Sequence, residues 1–244
     1  MSQAHGSRLF ETVKDQVYKD SRDKSVGIPL HEYARTHLPG WPYWLYRIVM
    51  VPVLLTAFRV RAYGRYNVPP TGGAILAPNH MSNADHFFGV ALLRRMVRFV
   101  AKSQLFKGPL GQLLLKGGCV PVFRGQHDLM YEETCLKLLE EGQLLTIYAE
   151  GGRSRSGEIE SAKIGIGYLS LKSGKPVVPV AIIGTVHMRN GGWRRLPRVT
   201  VLYGRPLQFR QNLSPTKSQA QAVANKILDE VRDLYTQGVK VFDR

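Results

Sequence analysis

Short apolar segments alternate with helical segments along most of the chain, and this alternation limits the folds open to it. Helical segments near residues 85–96, 105–116, 129–141 and 162–173, and a last one after Ser214-Pro215, alternate with strand-like segments. Strands that alternate with helices form mainly parallel sheets covered on both faces. We therefore predict an α/β fold, with a mainly parallel central sheet flanked by helices. The six predicted strands are Ala74–Pro78, Val97–Ala101, Cys119–Phe123, Leu144–Tyr148, Val177–Ile183 and Val199–Tyr203.

A histidine and an aspartate lie five positions apart directly after the first of these strands. On one continuous helix, residues five apart point about 140° away from each other. His80 and Asp85 can therefore meet only if His80 lies in the strand-to-helix turn and Asp85 in the first helical turn. A carboxylate bonded to one imidazole nitrogen fixes the tautomer and leaves the other nitrogen free as a base. The pair is a candidate catalytic base, although two polar residues of a turn would give the same pattern.

Cationic residues follow three other predicted strands. Lys102 and Arg124 each come directly after a strand, and Arg153 lies with Glu150 and Gly151 in the segment 149–157. Loops at the carboxyl ends of parallel strands share one edge of the sheet, which is the usual ligand-binding edge. Glycine permits close backbone approach to an anion, and guanidinium groups match phosphate bidentately. These loops predict a phosphate site near His80.

The charge of the chain is strongly basic and unevenly placed. The formal net charge is +16, and the segment Trp41–Leu110 has nine basic residues and a single acid, Asp85. The segment Ser161–Leu228 has eleven basic residues and no acid. Such asymmetry indicates an anionic partner, which is nucleic acid, an anionic membrane surface or a phosphorylated substrate.

The first 58 residues differ from the rest of the chain. Residues 1–40 show short amphipathic fragments, and Trp41–Phe58 has a single charged residue, Arg47. This apolar run is short for a membrane span and is interrupted by Pro52. Its Trp and Tyr residues suit the water–lipid boundary. We predict an N-terminal arm and membrane-interface helix over 1–58 and one further domain over 59–244. A helix that only closes the core is the alternative.

The sequence also predicts where in the cell the protein is located. Residues 1–24 contain no apolar signal-peptide core, and two cysteines make no disulfide framework. We expect a cytoplasmic protein that is peripherally associated with the inner face of the cell membrane.

Four blocks of this chain together resemble the lysophospholipid acyltransferase family, the glycerolipid acyltransferases. The resemblance covers about residues 60–210. In the third block, the usual Phe-Pro-Glu-Gly-Thr-Arg-Ser stands as Tyr-Ala-Glu-Gly-Gly-Arg-Ser, so its Pro and Thr are absent. The blocks are Asn79, His80 and Asp85 for Asn-His-x4-Asp; Gly118, Phe123 and the directly following Arg124 for a broad form of Gly-x4-Phe-x-Arg; Tyr148–Ser154 for the third; and Val178–Ala181 for a Val-Pro-Val/Ile strand.

The resemblance implies direct transfer of a fatty acyl chain to the free hydroxyl of 1-acylglycerol 3-phosphate, giving phosphatidic acid. Acyl-CoA or acyl carrier protein would be the donor, with no other cofactor, no metal and no protein nucleophile. Another lysophospholipid or a glycolipid is the alternative acceptor. The backbone after His80 is a candidate source of oxyanion donors. In this scheme His80 is the base that Asp85 orients, Lys102, Arg124 and Arg153 hold the acceptor phosphate, and Glu150 and Gly151 shape the acceptor site.

Two other classes of function compete with this interpretation. A metal-dependent phosphohydrolase would use His80, Asp85, His86, His127 and Asp128 as ligands, but no further acidic or histidine cluster completes the shell. A nucleic-acid-binding protein is the second alternative, and only the basic charge of the chain supports it. The sequence contains no zinc-ligand spacing, no RNA-binding aromatic motif and no basic heptad pattern of the kinds found in nucleic-acid-binding proteins. We therefore expect lipid and acyl-CoA partners and no nucleic acid.

Overall fold

A seven-stranded sheet forms the centre of the protein in the computed structural model, which describes residues 27–123, 128–154, 156–188 and 196–242. Six strands correspond to the predicted ones, and β2 and β6 have the predicted bounds. β1 lies in a segment not counted among those six. The strands are β1 (Arg61–Tyr63), β2 (Ala74–Pro78), β3 (Val97–Lys102), β4 (Val120–Val122), β5 (Leu144–Thr146), β6 (Val177–Ile183) and β7 (Thr200–Tyr203).

The sheet is parallel except at one strand pair. Its order is β1-β7-β6-β2-β5-β3-β4, and only β6 and β7 run antiparallel. The strands β2, β5 and β3 are consecutive neighbours with parallel register. Their carboxyl ends therefore share one edge of the sheet, and the predicted mainly parallel α/β fold is confirmed.

Helices cover both faces of the sheet. Alternate residues of β2 belong to different apolar clusters, with Ile75 and Ala77 in one and Ala74 and Leu76 in the other. This is the pattern of a strand buried on both sides. The helices are α1 (Ile28–Thr36), α2 (Trp41–Leu45, a π-helical turn at Tyr46–Met50, and Val51–Ala57), α3 (Asp85–Phe88), α4 (Gly108–Lys116), α5 (Leu129–Glu140), α6 (Ile164–Ser173) and α7 (Lys217–Phe242).

Helix α2 is buried on one side and exposed on the other. Tyr43 and Leu54 are buried, and Leu54 belongs to the apolar cluster that contains Ala74 and Leu76, whereas eight apolar side chains point outward. Across the described residues, no helix combines the length and the apolar character needed to cross a membrane. The outer face of α2 is formed by Trp41, Trp44, Leu45, Ile48, Val49, Met50, Val53 and Leu55, each at least 38% exposed.

The helix predicted over residues 85–96 is much shorter than expected. Helix α3 ends at Phe88, and Gly89 follows, a residue with low helix propensity. Side chains then take the carbonyl groups that a longer helix would have used. Tyr203 donates its hydroxyl to the carbonyl of Gly89, and Arg47 and Arg65 donate to carbonyl groups of residues 90–92. These contacts replace helical hydrogen bonds, so tertiary structure ends the helix.

Candidate active site

The predicted contact between His80 and Asp85 is present at the carboxyl end of β2. His80 Nδ1 lies 3.0 Å from Asp85 Oδ2, and His80 is 7% exposed while Asp85 is fully buried. His80 lies in the turn and Asp85 opens α3, as the spacing requires. With its proton on Nδ1 facing a carboxylate, the imidazole has its lone pair on Nε2. The arrangement is that of an oriented general base.

Asp85 also organises the turn that contains His80. Its Oδ2 accepts the N–H groups of Met81 and Ser82, both at 2.7 Å, in addition to His80 Nδ1. Oδ1 is buried and has no hydrogen-bond partner among the described residues. The first two N–H groups after His80 are therefore directed at the carboxylate, so they do not serve as the oxyanion donors suggested from the sequence.

Asn79 ties the turn to the neighbouring strand. Its side-chain amide donates to the carbonyl of Ile182 at 3.1 Å and accepts the N–H of the same residue at 2.7 Å. Asn79 is fully buried. These two hydrogen bonds to β6 fix the point at which β2 ends and the turn that contains His80 begins. The sequence did not predict this role.

Glu150 supports His80 from the loop that follows the adjacent strand β5. Its Oε1 accepts the N–H of His80 and its Oε2 accepts the N–H of Glu160, both at 3.0 Å. Burial raises the pKa of the Glu150 carboxyl above its ordinary value, and these two hydrogen bonds oppose that rise. Both oxygens are thus occupied inside the protein. Any effect of Glu150 on the acceptor therefore acts through the backbone that it holds.

Two aromatic side chains that the sequence left without a role surround His80. The ring of Tyr148 is stacked on the His80 ring with centroids 4.0 Å apart and an angle of 23° between planes. The Tyr148 hydroxyl lies 3.0 Å from His86 Nδ1, and the His86 ring stands edge-on to His80 at 5.1 Å. The signals for these contacts were the aromatic first position of the third block and the histidine directly after Asp85.

The structure brings part of the predicted phosphate site to the same edge. Ser154 donates its N–H to the His80 carbonyl at 2.8 Å, so the preceding Arg153, whose side chain is exposed, lies beside the turn. Lys102 ends β3, which is two strands from β2, or about 10 Å across the sheet. Gly151 has φ +65°, a conformation that favours glycine. Arg124 lies outside the described residues, and its role stays a prediction.

The candidate metal ligands of the phosphohydrolase alternative do not form a metal-binding group in the described ranges, although His80, Asp85 and His86 are neighbours. There, no group of three or more His, Cys, Asp or Glu side chains is arranged to hold a metal ion. Asp128 instead caps α5, accepting the N–H of Tyr131 at 3.1 Å and that of Phe123 at 2.9 Å. His127 lies outside the described residues.

Several known proteins are similar to this chain in sequence. A 1-acyl-sn-glycerol-3-phosphate acyltransferase of Bacillus subtilis is 25% identical over 72% of this chain and 87% of its own length. The same enzyme name is given to a chloroplastic protein of Arabidopsis thaliana, 29% identical over 52% of this chain, and to one of Chlamydomonas reinhardtii, 28% identical over 71%. The alignments span 37% and 54% of those two proteins.

A solved structure shares the fold. The 1-acyl-sn-glycerophosphate (LPA) acyltransferase PlsC from Thermotoga maritima superposes with a TM-score of 0.57 at 20% identity, over 86% of this chain and 97% of that one. The sequence profile of the acyltransferase family matches residues 59–183, which contain all four blocks and the His80–Asp85 pair. The chain therefore belongs to the acyltransferase family.

Proposed function

We propose that this protein transfers a fatty acyl chain from acyl-CoA, or from acyl carrier protein, to the free hydroxyl of 1-acylglycerol 3-phosphate, giving phosphatidic acid. The observation that carries the proposal is the buried pair of His80 and Asp85 at the carboxyl edge of the sheet. The names of the relatives support the choice of acceptor.

The pair supports a direct transfer with one base. His80 Nε2 takes the proton from the acceptor hydroxyl as its oxygen attacks the thioester carbonyl. The C–O bond forms, the C–S bond breaks, and the proton passes from His80 to the departing sulfur. The Asp85 carboxylate stabilises the imidazolium between these steps, and a group oriented in this way contributes about 10²–10⁴ in rate. No acyl-enzyme is formed.

The acceptor phosphate is placed beside this base. Arg153 extends from the loop whose N–H at Ser154 bonds the His80 carbonyl. A guanidinium there can bind a phosphate bidentately, which orients the acceptor as well as attracting it. Lys102, the last residue of β3, and Arg124, which follows β4 in the sequence, are the other members of the proposed cationic site.

The outer face of α2 is the proposed contact with the lipid surface. Arg47, the one charged residue of α2, is half-buried and its guanidinium approaches the carbonyl groups of Val90 and Ala91. The exposed Thr56 donates its hydroxyl to the carbonyl of Pro52 at 2.9 Å. An uncharged, aromatic and aliphatic surface of this kind is typical of helices that lie at a membrane interface. The basic segments add attraction to an anionic inner leaflet.

Apolar surface continues from α2 toward the active site. The Tyr46 ring lies 5.8 Å from the ring of Phe87, which is 46% exposed and follows His86. Leu110 and Leu113 of α4 are also exposed, and α4 adjoins the start of α2 through the bond between Gly40 N–H and the Lys116 carbonyl. A substrate that keeps its acyl chain in a bilayer could therefore present its headgroup to His80.

A defined substrate panel tests the proposed function. Purified protein is incubated with oleoyl-CoA, or with oleoyl acyl carrier protein, and with one acceptor at a time. The acceptors are 1-oleoylglycerol 3-phosphate, 1-oleoyl-glycerophosphocholine, a monoacylated glycolipid and glycerol 3-phosphate, and products are identified by mass spectrometry. We expect phosphatidic acid from the first acceptor at the highest kcat/KM. A higher value for another acceptor would replace the proposed substrate, and no acyl transfer to any would overturn the proposal.

A further inference from the structure

Tyr148 covers one face of the His80 ring. The two rings are nearly parallel, at 23°, with their centroids 4.0 Å apart, and the Tyr148 hydroxyl is bonded to His86 Nδ1 at 3.0 Å. The His86 ring in turn contacts the ring of Phe99 at 6.0 Å. Tyr148 is therefore held at both ends, with its ring on His80 and its hydroxyl on a histidine packed against β3.

The face of an aromatic ring is negative and attracts cations. During the proposed transfer His80 becomes an imidazolium, so the ring stacked on it interacts more strongly with the charged form than with the neutral one. Burial, together with the nearby Asp85 carboxylate, raises the pKa of the Tyr148 hydroxyl well above its ordinary value. The phenol therefore stays neutral, and its hydroxyl shares a hydrogen bond with His86 Nδ1 at 3.0 Å.

We propose that Tyr148 is a positioning residue that stabilises the imidazolium form of His80 through its ring face, and that His86 anchors this ring by its hydroxyl. The inference rests on the proposed function only for the identity of the reaction. It adds a second source of stabilisation to that of Asp85, which approaches the imidazole at Nδ1, whereas Tyr148 covers its face.

Asp85, Glu150, Tyr148 and His86 contact His80, and the Arg153 cation lies beside the same turn. Asp85 supplies a carboxylate at Nδ1, and Glu150 supplies a second carboxylate on the His80 backbone N–H. Tyr148 is neutral, and His86 is edge-on to His80 at 5.1 Å. A proton on His86 would repel the His80 imidazolium.

The test compares Tyr148→Leu with Tyr148→Phe. Leucine removes the ring, whereas phenylalanine keeps the ring face and loses only the hydroxyl. In the titration of the histidine ¹⁵N signals, with His80 assigned from the spectrum of His80→Ala, we expect Tyr148→Leu to lower the His80 midpoint by about half a pH unit or more. Tyr148→Phe is expected to leave the midpoint within a few tenths of a unit.

Kinetics give the second measurement. We expect Tyr148→Leu to lower kcat about 3- to 30-fold with KM unchanged, and to move the acid limb of the kcat/KM profile to lower pH. Tyr203 provides the matched control, because it is also buried and donates its hydroxyl to a carbonyl, that of Gly89, at 2.8 Å. Tyr203→Leu is expected to lower thermal stability without moving the His80 midpoint.

The two measurements separate the possible failures. An unchanged His80 midpoint in folded Tyr148→Leu, or an equal shift in Tyr203→Leu, would overturn the role of Tyr148, whatever the reaction. A lowered His80 midpoint in Tyr148→Leu would support the role of Tyr148 even if the wild-type protein made no phosphatidic acid. That second result would contradict the proposed function instead.

Discussion

The turn that contains His80 and the outer face of α2 are built in opposite ways. In the turn, polar atoms are directed inward, and the Asp85, Asn79 and Glu150 side chains together accept or donate seven hydrogen bonds to the turn and its neighbours. On α2, apolar side chains are directed outward, with Ile48 at 71% and Trp41 at 59% exposure. This difference corresponds to two requirements of the proposed reaction, which are a fixed base and contact with a lipid surface.

In the proposed reaction the turn fixes the position and charge of one base, for which the buried polar groups must be hydrogen-bonded. The proposed lipid contact of the outer face requires no such precision, because apolar burial depends on area and not on individual bonds. Substitutions in the turn are therefore expected to change the rate of the chemical step. Substitutions on α2 are expected to change where the protein lies and leave that step alone.

After the loss of His80 itself, the largest effect is expected from Asp85→Asn. An asparagine oxygen can keep the hydrogen bonds that Oδ2 accepts, and its amide replaces Oδ1, which has no partner among the described residues. The variant thus removes the charge while largely retaining the turn. We expect kcat to fall about 10²–10³-fold with little change in KM. Asp85→Ala, which also releases Met81 and Ser82, is the control and is expected to lower thermal stability as well. Equal activity of Asp85→Asn and wild type would contradict the role of the charge.

A smaller effect is expected from Arg153, at the border between the turn and the solvent. Arg153→Ala is expected to raise KM for the phosphorylated acceptor on the order of ten- to a hundredfold, because charge-assisted hydrogen bonds are lost, while KM for the donor changes little. Arg153→Lys is expected to recover only part of this, since an ammonium lacks the planar fork. A rise in the donor KM alone would move Arg153 to the donor site. The same expectation applies to Arg124→Ala.

The outer face of α2 is tested by the double variant Trp41→Ala, Trp44→Ala. Both side chains are more than half exposed, so their removal leaves the core intact. We expect sedimentation with vesicles containing anionic phosphatidylglycerol to fall about tenfold or more, and wild-type binding to weaken with added salt. Activity on detergent-dispersed acceptor is expected to stay near wild type. Tyr43→Ala, on the buried side of the same helix, is the control and is expected to lower stability instead. Unchanged vesicle binding with lowered stability in the double variant would contradict membrane docking.

The smallest effect on activity is expected away from both regions. His31 of α1 is fully buried, and its Nδ1 lies 3.1 Å from Thr134 Oγ1 of α5. Burial lowers the pKa of His31 below its ordinary value, so below about pH 6.5 the unfolded chain binds a proton that the folded chain does not. The free energy of unfolding therefore decreases as the pH is lowered below this value, by at most about 1.4 kcal/mol per pH unit for this group.

His31→Gln removes this titration but keeps a group that can bond Thr134. We expect the difference in unfolding free energy between wild type and variant to shrink as pH falls from 7 to 5, with kcat at pH 7.5 unchanged. A constant difference across this range would show that His31 does not titrate in the expected direction.

The sequence predicted the parts of the site that depend on local spacing. The five-residue separation of His80 and Asp85 has one geometrical solution after a strand, and the structure contains it. β2 and β6 begin and end where predicted, because both are continuous apolar runs bounded by Gly, Pro or polar residues. The parallel order of the sheet then placed Lys102 and the loop of Arg153 at the same edge.

Contacts between distant segments were not predictable in this way. The early end of α3 depends on hydroxyl and guanidinium groups from Tyr203, Arg47 and Arg65, which are 27 to 114 residues in sequence from the carbonyl groups that they bond. The side-chain direction of Glu150 and the ring contact of Tyr148 with His80 depend on the pairing of β2 with β5. Hydrophobic periodicity predicts a strand but not which other strand pairs with it. These roles could therefore be assigned only from the three-dimensional structure.

The central claim is that His80 is the base of a direct transfer, and His80→Ala tests it most directly. The measurement is the rate of phosphatidic acid formation from oleoyl-CoA and 1-oleoylglycerol 3-phosphate by wild-type and variant proteins with matching circular dichroism spectra. The account predicts a loss on the order of 10²–10⁴ in kcat for the variant. A folded His80→Ala protein that retains a rate within tenfold of wild type would contradict it.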